Sequence, residues 1–486
     1  MRKGWLVLLA MALVVALAVP ASAEMKLNGF YRVKPTVSNY VGAGNLSFSV
    51  PGMESAAAAS LIKTGSTGVE TDRTRAWTEM RNRLRFEVGD ENVKGVTFFE
   101  LDGVFGDTGG NTGRNQGFAS NGDSINLETK NAYLWFKVPN TTLDFTIGLQ
   151  GYMDEFAGLL FGASDQAGVV ANYTYNPVKF RFTWIKLRDD VTGGGPANNA
   201  WSSSNAGGNE ADYYAIDAKF NASKDVATTL HFGFIRDTNS YIVQPAEAAS
   251  LESLKAYYLG LNATAKFAPA TVTGFFHYNF GDFTDDTAGG TIQKVKIGGF
   301  AASLRADANL GPGKAFLEGL YVTGDDDQTA ATATTTNKYK SIVTGSDFAA
   351  LTSYYFRPDL TILFPNIDMI NSATALALNP NNGGRGLMLV AAGYSQKFSD
   401  KVTGKFGAGY LAADKKRKSS ATTEAKGKAM GTEINANVNY NITKGLDFGL
   451  YGAYAFLGSF YDRTGTASDP NPSDLYTVFG RLNFAF

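Results

Sequence analysis

Residues 73–88 read RTRAWTEMRNRLRFEV and set five arginines, Arg73, Arg75, Arg81, Arg83 and Arg85, on one parity. Successive side chains of a strand point to opposite faces, so this spacing puts all five guanidiniums on one side. A guanidinium is always charged, and its planar fork fits carboxylate and phosphate groups. Lining a wet cavity, such a row is a path for anions. Arg32 and Lys34 in an earlier alternating segment share the face, as do Lys179 and Arg181 in a later one. Glu100, Asp102, Glu128 and Asp217 are the candidate counter-charges in neighbouring segments. Paired with them, the arginines would stiffen a wall instead of meeting a solute, and spacing alone leaves both roles open.

The elements that must position these charges are strands. Period-2 alternation predicts eighteen, over 25–37, 72–89, 92–105, 124–138, 142–151, 166–176, 178–188, 211–221, 226–237, 254–267, 270–281, 292–308, 313–324, 385–398, 401–411, 431–441, 445–457 and 475–486. Connection lengths test the assignment. Every even-numbered strand is followed by a short turn, such as Asp90-Glu91, Pro177 or Ala268-Pro269. Every odd-numbered strand is followed by a longer loop, such as 38–71, 106–123, 189–210 or 325–384. An even strand count with segregated short turns and long loops is the pattern of a transmembrane antiparallel up-and-down β-barrel, with periplasmic turns and outer loops. An arginine facing lipid at mid-membrane costs about 2–4 kcal/mol, so the ladder must face the lumen or the rims.

The two chain ends agree with this address. Arg2 and Lys3, an apolar run over 5–19 and Ala21-Ser22-Ala23 form a secretory signal peptide over residues 1–23, leaving 24–486 as the barrel. The last segment alternates Tyr476, Val478, Leu482, Phe484 and Phe486 with Thr477, Arg481 and Asn483, and it closes on an aromatic residue. An exposed aromatic edge invites aggregation in water, whereas closing a barrel in lipid removes the edge. With strand 1 starting almost at the cleavage site, no folded N-terminal plug is expected, and the lumen is read as open.

Alternation also predicts which side chains face lipid. Ile434, Val438 and Tyr440 oppose Glu433, Asn435, Asn437 and Asn439, and Phe180, Phe182 and Trp184 oppose Lys179 and Arg181. In strand 12 the apolar phase shifts from Val295 and Ile297 to Phe300, Ala302 and Leu304, which predicts a bulge at Gly298-Gly299. Trp77, Tyr133, Trp135, Tyr175 and Trp184 near strand ends are expected in interfacial girdles.

Composition excludes several classes. The 486 residues contain no cysteine, which removes disulfides, thiolate metal sites and covalent c-type haem. The chain carries 44 Lys and Arg against 45 Asp and Glu, and losing Arg2 and Lys3 takes the net charge from −1 to −3; nucleic acid is not a partner on these grounds. The two histidines, His231 and His277, fall on lumen parity without a nucleophile elbow around either, so catalysis is not expected and no cofactor is implied.

Loop 325–384 is long enough to do more than connect strands. It carries Tyr354, Tyr355 and Arg357 before the apolar run 360–365, which predicts either an infolded constriction or packing on the barrel rim. Asp325, Asp326 and Asp327 offer hard oxygens to Ca²⁺, but the spacing is not that of an EF-hand and a solvated acidic turn is the plainer reading. Lys415-Lys-Arg-Lys418 suits lipopolysaccharide phosphates or a solvated loop tip.

The chain resembles the eighteen-stranded alginate-export and related porin barrels. The likeness lies in Arg81-Asn-Arg83-Leu-Arg85, in Asn131-Ala-Tyr-Leu-Trp-Phe136 before a short Pro turn, and in Tyr321-Val-Thr-Gly-Asp-Asp-Asp327 at the start of the longest loop. It extends over the mature chain in layout, with short and degenerate motifs. It implies a porin of the Gram-negative outer membrane with a basic constriction, not alginate as the solute. The expected function is passive diffusion of small hydrophilic, anionic solutes. The alternatives are a selective saccharide or organic-acid channel and a structural barrel. Expected partners are outer-membrane lipid and lipopolysaccharide, the barrel-assembly machinery at the C-terminal strand, and, by analogy with porins, two further copies in a homotrimer.

Overall fold

The computed structural model describes residues 24–39, 74–106, 118, 127–162, 164–189, 210–238, 251–287, 291–325, 338–348, 357–364, 376–377, 379–416, 418–420, 423–424, 426–462 and 473–486. The signal-peptide residues 1–23 lie outside this set, as do Arg73, Asp326, Asp327, Tyr354 and Tyr355.

The eighteen expected strands all form: β1 (Glu24–Ser38), β2 (Arg75–Gly89), β3 (Val93–Val104), β4 (Glu128–Lys137), β5 (Leu143–Tyr152), β6 (Ser164–Tyr175), β7 (Val178–Asp189), β8 (Glu210–Asn221), β9 (Val226–Asp237), β10 (Leu251–Phe267), β11 (Ala270–Thr287), β12 (Thr291–Leu310), β13 (Gly313–Val322), β14 (Leu387–Lys397), β15 (Val402–Ala412), β16 (Ala429–Thr443), β17 (Leu446–Leu457) and β18 (Leu475–Ala485). Each pairs antiparallel with its chain neighbours, and β18 pairs back onto β1 from Phe30↔Ala485 to Ser38↔Thr477. The terminal residue completes this seam. The Phe486 N–H donates to the Gly29 carbonyl at 3.1 Å, and the Gly29 N–H donates to the Phe486 carbonyl at 3.2 Å. No sheet edge is left in the wall, which is what a lipid environment demands of a β structure.

The outward parity carries a continuous apolar belt. Leu261, Leu304, Leu317, Val390, Phe406, Val438 and Leu450 are all exposed on it, Leu304 by 62%. In water that surface would be unstable, and in lipid it is solvated. The alternation expected for β7, β16 and β17 holds, with Phe182, Trp184, Ile434, Val438, Phe448 and Leu450 outside and Glu433 buried inside.

Three details differ from the sequence reading. The β11–β12 register runs unbroken from Ala270↔Ala308 to Thr287↔Thr291, so there is no bulge at Gly298-Gly299. Both strands also run past their expected ends, and their loop shrinks to residues 288–290. Val295 and Ile297 are apolar and point inward because they meet protein rather than water, packing with Phe283, Tyr339 and Val343. Of the expected girdle aromatics, Tyr175 and Trp184 face outward. Tyr133 and Trp135 instead line an inner niche, and the Trp77 indole N–H donates to inward-facing Glu79 at 3.0 Å.

The barrel is not open throughout. Two apolar clusters lie inside the wall, built from Phe156, Leu159, Leu160 and Phe161 of the β5–β6 loop together with Ile342, Val343, Leu360, Ile362, Leu363 and Phe364 of the β13–β14 connection. Segment Lys338–Tyr339 even extends the sheet, pairing in parallel with Lys296 and Ile297 on the part of β12 that reaches beyond β13.

Candidate functional site

The arginine ladder lies where β1, β2 and β3 run side by side. Register sets Arg81 opposite Asp102 and Arg83 opposite Glu100. Arg81 grips Asp102 through Nη2 at 2.6 Å and Nε at 3.1 Å, and its Nη2 is 3.5 Å from Glu100. Arg83 donates through Nε to Glu100 in a close ion pair. Arg85 meets Glu87 at 2.9 Å and donates to the Tyr133 hydroxyl at 3.3 Å. Both Glu100 and Asp102 are buried, so each needs a cation to remain ionised away from water. Glu128 stands in register with Glu100 on the next strand. The backbone of Arg75 begins β2, and its side chain lies outside the described set.

Other inward cations follow the same rule. Lys34 pairs with buried Glu79 at 3.4 Å, Arg181 with Asp217 at 2.8 Å and Glu155 at 3.2 Å, and Arg188 with Asp237 at 2.9 Å. Arg305 meets Glu318 at 2.8 Å and Arg481 meets Asp447 at 2.9 Å. Arg32 differs. It stands in register with Arg81, donates from Nε to the Asn483 amide oxygen at 3.1 Å and lies 4.7 Å from the Phe30 ring centre, with no ion pair among the described residues. Lys179, at the periplasmic end of β7, likewise has no ion pair among them and stands in register with Lys219.

Two segments fold inward and narrow the lumen. The first is the β5–β6 loop. Asp154 is buried and accepts four backbone N–H groups, from Phe156 at 2.7 Å, Gly158 at 3.0 Å, Leu160 at 2.6 Å and Phe161 at 2.8 Å. This knot drives Phe156 against the wall at Gly260, where a Cβ would collide with the ring. The same ring packs edge-on against both histidines, with centroids 5.2 Å from His231 and 4.9 Å from His277. His231 Nδ1 lies 2.7 Å from Asp217, and both histidines sit in the wall behind the loop.

The second segment belongs to the long β13–β14 connection. Inward-facing Glu433 of β16 accepts the N–H groups of Thr361, Ile362 and Leu363 at 2.6, 2.9 and 2.9 Å. Arg357 pairs with Glu318 at 2.8 Å, and its carbonyl accepts from Arg305 at 2.9 Å. The Asn435 amide donates to the Asp359 carbonyl at 2.9 Å. Leu360 sits over Gly409, whose missing side chain leaves it room. The two segments touch each other, the Gly345 N–H donating to the Leu160 carbonyl at 2.8 Å. Asp325 acts here as a tether, accepting the Lys340 N–H at 2.6 Å.

Between the ladder and the periplasmic mouth, Arg85, Glu87, Lys94, Tyr133, Trp135 and Gln150 line an inner niche of about 440 Å³. In the periplasmic turns the Asn92 and Val93 N–H groups hold the Asp90 carboxyl below its ordinary range, and the Lys397 ammonium does the same for Asp400. No cluster of metal-ligating side chains occurs among the described residues.

Parity brought Arg32, Lys34, Arg81, Arg83, Arg85 and Arg181 to the inner face correctly. It missed Asp154, Glu433 and Glu318 as loop anchors, because an anchoring carboxylate carries no spacing signature. The one available sign was the apolar content of 156–161 and 360–364, too greasy for loops in water.

The closed wall, the lipid-facing belt and the charged interior define a transmembrane β-barrel of the Gram-negative outer-membrane type. No protein-family model and no curated relative matches the chain. Among solved structures it is similar to OccAB4 of Acinetobacter baumannii, with 10% identity over 96% of this chain and 99% of that one and a TM-score of 0.49. It is also similar to OccK3 (OpdO) of Pseudomonas aeruginosa, at 12% identity, 95% and 96% coverage and a TM-score of 0.47. The outer membrane channel DcaP of A. baumannii shares 14% identity over 96% of this chain and 98% of its own, with a TM-score of 0.43.

Proposed function

We propose that this protein is a passive outer-membrane channel for small hydrophilic solutes, with a preference for anions. The observation that carries the reading is the charge balance along β17, β18, β1, β2 and β3. Among the described side chains, eight cations there, Lys26, Arg32, Lys34, Arg81, Arg83, Arg85, Lys94 and Arg481, stand against six carboxylates, Glu24, Glu79, Glu87, Glu100, Asp102 and Asp447. The surplus sits in a low-dielectric wall beside a narrowed lumen, where a fixed positive field raises the local concentration of anions. Ion pairs take up most of the ladder's charge, so selectivity rests on that surplus rather than on all five arginines.

The infolded segments support a size limit. They narrow the passage within the barrel, which suits diffusion of small solutes. Reconstitution in a planar bilayer under a KCl gradient tests the reading. A stable conductance with a reversal potential on the chloride side is the expected result. A potassium-side reversal would end the anion preference, and no conductance at all would favour a structural barrel.

A further inference from the structure

We infer that Arg32, at the closing seam of the barrel, is the residue that determines anion selectivity, with Arg81, Arg83 and Arg85 of the ladder serving the wall. The inference deepens the channel reading and depends on it. Every other described strand arginine that turns inward is committed to a carboxylate. Arg32 spends one of its five donors on Asn483, and no acid stands within pairing distance among the described residues.

Its surroundings keep it that way. Carboxylates on the neighbouring strands are already held: Asp102 by Arg81 and Asp447 by Arg481 at 2.9 Å and by the Asn483 amide at 3.0 Å. Asn483 therefore links the two groups, giving its oxygen to Arg32 and its N–H to Asp447. The Phe30 ring covers one face of the guanidinium and limits its rotamers, and Arg83 lies 5.5 Å from the same ring. The result is a pre-oriented cation next to a second one, partly buried on the lumen face, with donors left for an incoming group. An oxyanion with two adjacent oxygens, a carboxylate or a phosphate, matches a fork that has lost only its Nε donor. Chloride would feel the charge but not the fork.

Two variants separate charge from geometry. Arg32→Gln removes the charge, and Arg32→Lys keeps it while removing the fork. Reversal potentials are measured in planar bilayers under KCl and under potassium acetate gradients, with folding checked by gel heat-modifiability. Arg32→Gln is expected to lower the chloride-to-potassium permeability ratio about fivefold, the factor for one lumen charge in a water-like dielectric. Arg32→Lys is expected to keep the chloride ratio and lose the acetate-over-chloride preference. An anion-selective wild type with an unchanged Arg32→Gln ratio overturns the role of Arg32 alone. A cation-selective wild type overturns the channel reading beneath it.

Discussion

Replacing Asp154 with Ala should release the β5–β6 loop from the lumen and raise single-channel conductance. Four buried N–H groups converge on this carboxylate, with donor–acceptor distances from 2.6 to 3.0 Å. Leaving a buried donor unsatisfied costs about 1–3 kcal/mol, so the docked loop loses roughly 4–12 kcal/mol if all four stay dry. Against this stands the burial of Phe156, Leu159, Leu160 and Phe161, all at most 1% exposed. At about 1.5–3 kcal/mol each, the four contribute roughly 6–12 kcal/mol to docking. The terms are of the same size, so the variant loop should divide its time between docked and released states. Bilayer recordings would show a larger mean conductance with added fluctuations. Asp154→Asn keeps one oxygen for Phe156 and Gly158 and should fall between the two. The wall pairings do not involve Asp154, so barrel stability should hardly change. Equal conductance in wild type and Asp154→Ala, with equal amide protection over 156–161, would refute the reasoning.

Three further outcomes follow from other anchors. Glu433→Ala strips the acceptor from Thr361, Ile362 and Leu363 and should likewise enlarge conductance through the second segment; a pore of wild-type conductance would mean that 360–364 does not narrow the path. Arg81→Ala removes the two N–H donors on the Oδ2 of buried Asp102 and should cost about 3 kcal/mol, seen as a lower urea midpoint of the detergent-solubilised barrel. Acidification should loosen the β2–β3 turn. The folded Asp90 carboxyl titrates below the ordinary value near 3.9, so its contribution is complete above that value and is lost as pH falls through the depressed folded one. Amide protection at Asn92 and Val93, relative to an unstructured peptide, should drop across that interval and not above pH 5.

Much of the wall was legible because a barrel strand answers to only two solvents. At Ile434, Val438 and Leu450 lipid selects apolar side chains, and at Asn435, Asn437 and Asn439 a wet lumen selects polar ones. A period of two then survives in the sequence even though each strand is short. Turn lengths added an independent signal, since the outer side tolerates insertion and the periplasmic side does not. The charged face is legible for the same reason: an arginine has few places to go in a lipid-embedded sheet, and Arg81, Arg83 and Arg85 of the row turn inward onto Asp102, Glu100 and Glu87.

What stayed hidden was the content of the lumen. Val295 and Ile297 look like a change of phase if the inside of the wall is assumed to be water everywhere. They keep phase perfectly well once Tyr339 and Val343 lie against them. From β7 round to β18 the inner face thus answers in part to a third solvent, the protein's own loops, and its glycines at 260 and 409 make room for Phe156 and Leu360. On β1 and β2 the inner face is charged, with Lys34 buried on Glu79, Arg81 on Asp102 and Arg83 on Glu100. On the proposed channel reading, the passage would run along this charged stretch, past the seam that Phe486 closes. A solute taking that course would meet Arg32, Arg83 and Arg481, which is why the charge of the seam, and not of the whole ladder, decides the outcome of the selectivity measurement.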